Sequence, residues 1–213
     1  MIDVVIPTQF DEKRFWTLVH QVKSALSQGV DARVIILSSK ENWDANHGKL
    51  LGMLSIHEAE LVEPFLFRDG DKGDPFDTPT GYMCNPAIHA YMRQPREKLG
   101  DWQYHGGDDD CLTPWAFKYL LAASPGKGMV MGRAMTVDRE YRDRHDYPMG
   151  EEIMRCHIDL SCGIIHTDSL RALQLPWLNI FTGYGDWELV ARQAASFPYV
   201  LIPQVVSIKS LTL

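Results

Sequence analysis

The chain has 213 residues, of which 45% are hydrophobic and 23% charged, so we expect one globular domain over residues 1–213 with a substantial core. Its formal net charge of -7 disfavours non-specific binding to nucleic acid or anionic membranes, which depends on clustered Lys and Arg. Its cysteines show no Cys-x-x-Cys spacing, and no apolar run approaches the ~20 residues that span a bilayer, so we expect a cytoplasmic protein without stable membrane insertion.

The N-terminal segment predicts a β-α-β unit. Residues 4–8 are a short apolar run that predicts a buried strand, and residues 33–37 predict a second one. Between them, apolar residues recur at helical spacing over residues 12–27, with Asp11 as the expected N-cap. This order predicts two parallel strands joined by a right-handed crossover, which is typical of an α/β protein.

The rest of the chain predicts a mixture of strands and helices with no repeat or linker. Loops are expected over residues 69–75 and, as a charged solvated segment, over residues 138–150. The further predicted helices are 49–60, 85–92, 115–123, 168–173 and 185–195. The further predicted strands are 64–68, 102–105, 128–135, 161–166 and 199–208. We therefore expect a single mixed sheet flanked by helices, an arrangement similar to the Rossmann fold.

Three adjacent carboxylates, Asp108, Asp109 and Asp110, are the strongest chemical signal in the chain. They follow the predicted strand 102–105, and open α/β sheets bind ligands at the C-terminal edge of their strands. Hard divalent cations take carboxylate oxygens and complete their shells with substrate phosphates. The run therefore predicts a metal–diphosphate site, although a solvated acidic turn explains the spacing equally well.

Four segments, taken together, resemble the family 2 type of GT-A glycosyltransferases. In chain order they are Val5-Ile6-Pro7-Thr8, residues 81–90 (GYMCNPAIHA), residues 107–114 (GDDDCLTP) and residues 183–192 (GYGDWELVAR). The resemblance covers most of the chain. It implies a single-domain GT-A fold and an inverting transfer of a sugar from a nucleotide-diphosphate donor, with UDP-sugar as the expected class. The implied acceptor is open: a glycan, a protein, a small molecule or a modified nucleic-acid base.

The resemblance also implies roles for individual residues. Residues implied to contact the donor are Pro7, Thr8, Ser39, Asp44, Asn85 and Asp108, with Ser38 as an alternative beside Ser39 and Asp44. Asp109 or Asp110 would bind Mn²⁺ or Mg²⁺, which stabilises the diphosphate leaving group. Asp186 would be the base that removes the acceptor hydroxyl proton, with Glu188 as the fallback.

Departures from the family pattern leave other functions open. Cys84 stands where the family usually has Arg or Lys, Gly185 stands where it usually has Glu, and residues 205–209 lack the late His of some members. A different donor, a metal-independent variant or an inactive, sugar-nucleotide-binding or scaffolding relative would each explain them. A nucleotidyltransferase is a further alternative, but residues 8–14 lack the glycines typical of its phosphate loop.

Overall fold

A computed structural model describes residues 1–67, 88, 90–137, 144–146, 160–173 and 185–209, with only the backbone of residues 67, 136–137, 144–146 and 185–188. The helices are α1 (Phe15–Leu26), α2 (Lys40–Leu51), α3 (Ile56–Glu60), α4 (Ala116–Ala122), α5 (Thr167–Ala172) and α6 (Gly185–Ser196). The strands are β1 (Ile2–Pro7), β2 (Ala32–Ser39), β3 (Val62–Phe67), β4 (Trp102–His105), β5 (Cys111–Leu112), β6 (Met129–Val137), β7 (Arg144–Asp146), β8 (Gly163–His166) and β9 (Tyr199–Lys209). Short 3₁₀ turns cover Arg96–Lys98 and Leu160–Cys162.

The strands form one mixed sheet in the order β3-β2-β1-β4-β8-β6-β9-β5, with β7 paired to β6. Strands β1 to β4 are parallel, whereas β8 runs antiparallel to β4. The chain moves outward from β1 to β2 and β3 and then returns to β4 on the other side of β1. This reversal opens a crevice at the carboxyl ends of β1 and β4, which is where open α/β sheets bind ligands.

Helices cover both faces of the sheet, so the central strands β1, β2 and β4 are buried on both sides. One core cluster joins α1, α2 and α4 to the sheet through side chains such as Leu18, Leu50 and Phe117. The other joins the helical residues near Tyr91 to α5 and α6 and includes Leu189. The predicted α/β class, with a mixed sheet flanked by helices, is confirmed, and so is the parallel β-α-β opening.

A saturated polar cluster closes the amino end of β1. The buried Asp3 carboxylate accepts hydrogen bonds from Arg33 Nε at 2.8 Å, Tyr91 Oη at 2.7 Å and Gln103 Nε2 at 2.9 Å, and also from the Gly100 N–H. Burial raises the pKa of Tyr91, with the Asp3 charge acting in the same direction, so the phenol keeps its proton and donates it. This cluster joins β1, β2 and β4 at the edge opposite the crevice.

Two predicted helix boundaries are wrong. The predicted helix 49–60 is instead two helices, since α2 already begins after Ser39 and α3 starts only after Ser55. Each of these serines caps its helix by accepting a backbone N–H, which fixes both starts. The first helix begins at Phe15 rather than at residue 12, because Asp11 accepts the Lys13 N–H and closes a turn instead of capping the helix.

Two short strands were also missed. Residues 144–146, predicted as part of a charged solvated loop, form β7 against β6. Cys111 and Leu112, which lie between the aspartate run and the predicted helix 115–123, pair with β9 as β5. Strands of two or three residues are too short to show periodicity in the sequence. Of the predicted helix 85–92, residues 88 and 90–92 are helical, and its start and the loop 69–75 lie outside the described residues. Within the described part, none of the helices combines the length and apolarity needed to cross a membrane.

Candidate active site at the β1–β4 crevice

Two glycines allow the chain to turn tightly from β4 into the aspartate run. A Cβ atom on Gly106 would lie 2.4 Å from Gln21 Nε2 and 2.8 Å from Tyr104 Cε1. A Cβ atom on Gly107 would lie 3.2 Å from Asp110 Oδ2, which instead accepts the Gly107 N–H at 3.0 Å. Any side chain at Gly106 would therefore press on the core below the run, and any at Gly107 would crowd its carboxylates.

Asp108 ties three elements together at the mouth of the crevice. Its Oδ2 accepts a hydrogen bond from Thr8 Oγ1 at 2.9 Å, and its Oδ1 accepts one from Arg14 Nη1 at 3.1 Å. Its backbone carbonyl accepts a third bond from Thr17 Oγ1 at 2.8 Å. The Asp108 side chain is only 11% exposed. The end of β1, the start of α1 and the loop after β4 are thus held in one fixed arrangement.

The charges in this cluster are unequally exposed to water. Burial raises the pKa of Asp108, and the Thr8 hydroxyl and the Arg14 guanidinium oppose that rise. For Arg14, burial lowers the pKa, but the charges of Asp108 and Asp109 outweigh it, so that the pKa is raised overall. Arg14 Nη1 also lies 3.8 Å from Asp109 Oδ2. Arg14 therefore remains a permanent cation between two of the carboxylates.

The cluster suits a metal that is shared with a substrate rather than one enclosed by protein. Nowhere in the described ranges do three His, Cys, Asp or Glu side chains converge as a complete ligand set. Mg²⁺ bound to a substrate diphosphate takes only one or two protein carboxylates. Asp109, with its side chain 27% exposed, is accessible for such a role, while Asp110 is 3% exposed and accepts the Gly107 N–H. The donor set therefore fits the expected divalent ion.

The loop between β1 and α1 is held in a strained conformation. Phe10 has a φ of 58°, in the left-handed region that non-glycine residues rarely adopt. Its N–H donates to Thr8 Oγ1 at 2.9 Å, and its ring packs 6.2 Å from that of Trp43 in α2. Such strain costs about 1–3 kcal/mol, persists only where surrounding contacts enforce it, and concentrates at functional sites. The same Thr8 hydroxyl therefore supports both this loop and Asp108.

Of the predicted donor contacts, the structure brings Thr8 and Asp108 together. Pro7 lies beside them as the last residue of β1. Ser39 caps α2, and its neighbour Ser38 is buried with a hydroxyl that has no hydrogen-bond partner among the described residues. Asp44 is about half exposed and forms an ion pair with Lys40; no contact within the described part joins it to the aspartate run.

Three predicted site residues lie partly or wholly outside the described part of the chain. Asn85 falls outside it completely. The backbone of Asp186 and Glu188 belongs to the first turn of α6, but their side chains are outside the described set. The predicted roles of these three residues stay predictions.

Sequence reasoning missed Arg14, directly before α1, and Thr17, in its first turn, which both bind Asp108. The only available signal was that both polar residues stand beside apolar ones at the start of the helix. Arg14 interacts with a residue 94 positions away in the chain, and spacing alone does not reveal such a pairing.

No protein-family model matches this chain, and no curated protein is significantly similar to it. Solved structures do share its fold. S. aureus TarS 1–349 superposes with a TM-score of 0.66 at 12% identity, over 98% of this chain and 60% of TarS. TarS has also been solved in complex with UDP-GlcNAc and with UDP.

Two further solved structures with the same fold are enzymes that catalyse different reactions from each other. The mannosyltransferase PcManGT from Pyrobaculum calidifontis, in complex with GDP-Man and Mn²⁺, gives a TM-score of 0.62 at 13% identity, over 98% of this chain and 56% of that one. The 4-diphosphocytidyl-2C-methyl-D-erythritol synthase from Anaerococcus prevotii gives a TM-score of 0.56 at 9% identity, over 95% of this chain and 86% of that one. This chain thus spans about 60% of the length of TarS 1–349, 36% of the longer TarS chain and 56% of PcManGT. The likeness confirms the predicted GT-A fold.

Proposed function

We propose that this protein is a glycosyltransferase that moves a sugar from a nucleotide-diphosphate donor to a hydroxyl group of an acceptor. The observation that carries the proposal is the aspartate cluster at the β1–β4 crevice, where Thr8 and Asp108 meet across the topological switch point of the sheet. The complexes of TarS with UDP-GlcNAc and of PcManGT with GDP-Man support a nucleotide-sugar donor. UDP-sugar is the donor class that we expect.

Asp109 or Asp110 would hold Mn²⁺ or Mg²⁺, and Asp109 is the more exposed of the two. When bound, the metal would neutralise the negative charge of the departing nucleoside diphosphate. Pro7 and Thr8 would lie along the nucleotide at the end of β1. Each carboxylate oxygen of Asp108 already accepts one hydrogen bond, and each keeps a further lone pair that a hydroxyl group of the donor could use.

Asp186 would act as the base, with Glu188 as the fallback. The acceptor oxygen would form a bond to the anomeric carbon while the bond from that carbon to the phosphate oxygen breaks, and the hydroxyl proton would pass to the carboxylate. The packing of α6 is compatible with this role. Gln193, late in α6, bonds to Ser169 in α5, which follows β8 at the amino end of β4. The first turn of α6 is the end of the helix opposite this anchor.

A nucleotidyltransferase is the second candidate, because the Anaerococcus prevotii synthase shares the fold over 95% of this chain. The two reactions release different products. Sugar transfer releases a nucleoside diphosphate, whereas nucleotidyl transfer from a nucleoside triphosphate releases pyrophosphate. Assaying both products with the same protein therefore separates the two candidates.

The proposal is tested by thermal unfolding with UDP, GDP or CDP, each with and without Mn²⁺. A ligand that binds only the folded state stabilises it by about 2.7 kcal/mol at 100 times its Kd, so at least one diphosphate should raise the Tm in a Mn²⁺-dependent manner. Asp109→Asn should remove the Mn²⁺-dependent part of the shift. Asp31→Asn is the matched control, since Asp31 is 79% exposed and pairs with the N-terminus.

Failure of all three diphosphates to raise the Tm, with or without Mn²⁺, would contradict the donor site. The base is tested separately. Asp186→Asn should bind the donor as the original protein does and lose sugar transfer and donor hydrolysis. Normal turnover by Asp186→Asn would shift the role to Glu188, which Glu188→Gln then tests in the same assay.

A further inference from the structure

Arg14 occupies an unusual position among the basic residues of this protein. It precedes the first turn of α1, and its Nη1 lies 3.1 Å from Asp108 Oδ1 and 3.8 Å from Asp109 Oδ2. It is thus paired with two of the three carboxylates of the aspartate run. It therefore places a fixed positive charge at the crevice in which the proposed donor would bind.

The contacts of Arg14 leave much of its hydrogen-bonding capacity unused. A guanidinium group carries five N–H donors, and only Nη1 bonds to a described residue. The side chain is 45% exposed. Arginine in this situation can bind a phosphate through two parallel N–H bonds while it keeps a carboxylate on its other edge. Arg14 is thus both anchored by Asp108 and able to bind an anion from solution.

The formal charges at the crevice explain why the remaining N–H donors of Arg14 would favour binding of a diphosphate. The three aspartates carry a formal charge of -3, which repels a diphosphate. Arg14 reduces the local sum to -2, and a divalent cation brings it to zero. Like charges repel more strongly in the partly water-excluded surroundings of a crevice than in bulk water. The cluster therefore accepts a diphosphate far more readily with Arg14 than with a neutral residue in its place.

We propose that Arg14 is a donor-binding residue, whose guanidinium contacts the diphosphate of the nucleotide through Nε or Nη2 while Asp108 and Thr8 hold it in place. In this arrangement Asp108 is a positioning residue for Arg14. The inference rests on the proposed function, because it assumes a nucleotide-diphosphate ligand. The Arg14 contact would make the protein bind nucleoside diphosphates more tightly than the corresponding monophosphates.

The test compares Arg14→Gln with the original protein by calorimetric titration in excess Mn²⁺. The ligands are whichever of UDP, GDP or CDP the original protein binds most tightly and the corresponding monophosphate. We expect the Kd of the diphosphate to rise about tenfold or more and that of the monophosphate to change less than about threefold, because charge-assisted bonds to the second phosphate are lost. Arg96→Gln is the matched control, since Arg96 is a partly exposed arginine paired with two other carboxylates, Asp101 and Asp168.

A purely structural role for Arg14 predicts a different result. If it served only to hold Asp108, Arg14→Gln would weaken both nucleotides equally, and that outcome overturns the inference. A diphosphate Kd within about twofold of the original value also overturns it, since a charge-assisted contact is worth more. If the original protein binds none of the three diphosphates, the proposed function itself fails, which is a distinguishable result.

A second variant covers the case in which Arg14→Gln does not fold. Arg14→Lys keeps a positive charge beside Asp108 but loses the planar fork that binds two oxygens at once. We expect the diphosphate Kd of Arg14→Lys to rise at least about threefold with monophosphate binding unchanged, since a lysine binds phosphate only as a point charge. Diphosphate binding unaltered by this substitution would refute the guanidinium contact.

Discussion

Replacing Thr8 by valine removes two hydrogen bonds at the crevice while keeping the size of the side chain. The Thr8 hydroxyl donates to Asp108 Oδ2 and accepts the N–H of Phe10, both at 2.9 Å. A bond to a charged group contributes about 1.5–3 kcal/mol, and an orphaned buried N–H costs about 1–3 kcal/mol. Thr8→Val should therefore lower the free energy of unfolding by about 3–5 kcal/mol near neutral pH.

This destabilisation should depend on pH, with a sign set by Asp108. Burial raises the folded-state pKa of Asp108 above its unfolded value, so the associated stability is present at low pH and is lost as pH rises through the folded pKa. Thr8 opposes the rise, and Thr8→Val should move the folded pKa further up. The loss of stability should hence be larger at about pH 7.5 than at about pH 4, where a greater fraction of the Asp108 carboxyl is protonated.

Urea unfolding of both proteins across this pH range measures the effect, with Thr8→Ser as the control. Serine keeps the hydroxyl and loses only a methyl group, at a cost of about 1 kcal/mol that does not change with pH. If Thr8→Val and Thr8→Ser lose equal stability at every pH, the Thr8–Asp108 bond does not support a buried charge, and the reasoning about the crevice is wrong.

Two further predictions concern stability. Gly106→Ala should lower the free energy of unfolding by about 1–3 kcal/mol, because the new Cβ would press on Gln21 and Tyr104. Gly48→Ala in α2 should raise the free energy of unfolding by about 1 kcal/mol, because no atom lies within 4 Å of its new Cβ. Equal effects of the two substitutions in urea unfolding would contradict this reasoning. Asp3→Asn should cost about 3–5 kcal/mol, because it leaves the Arg33 charge without its buried partner; a loss below about 1 kcal/mol would show that the cluster is not essential.

How far the fold follows from the sequence depends on the strength of each local signal. The β1–α1–β2 unit could be predicted because residues 4–7 and 34–37 are continuous apolar runs and α1 presents a continuous buried stripe. Helix α2 could not, because it buries only Trp43 and Leu50 and depends on the cap at Ser39 for its start. Strands β5 and β7 are defined by pairing with distant partners, a tertiary contact that no local pattern encodes.

The candidate site, like the fold, could be predicted from the sequence only in part. The aspartate run could be placed at a strand end, because its neighbours in the sequence have strand and helix character. The role of Arg14 could not, since it depends on α1 beginning at Phe15 and on the contact across the crevice with Asp108. Thr8 was expected to lie along a nucleotide, and its bond to Asp108 adds a structural role that sequence alone did not suggest.

The two ends of β1 explain why function is assigned to one and not to the other. At the amino end, Asp3 is fully buried and accepts four hydrogen bonds. At the carboxyl end, Asp109 remains partly exposed, and Arg14 has N–H donors that bond to no described residue. Both ends pair an arginine with a buried aspartate. A saturated cluster can only stabilise the fold, whereas a cluster with accessible oxygens and unused donors can also bind a ligand that brings both metal and phosphate. The carboxyl end is therefore where substitutions should change nucleotide binding.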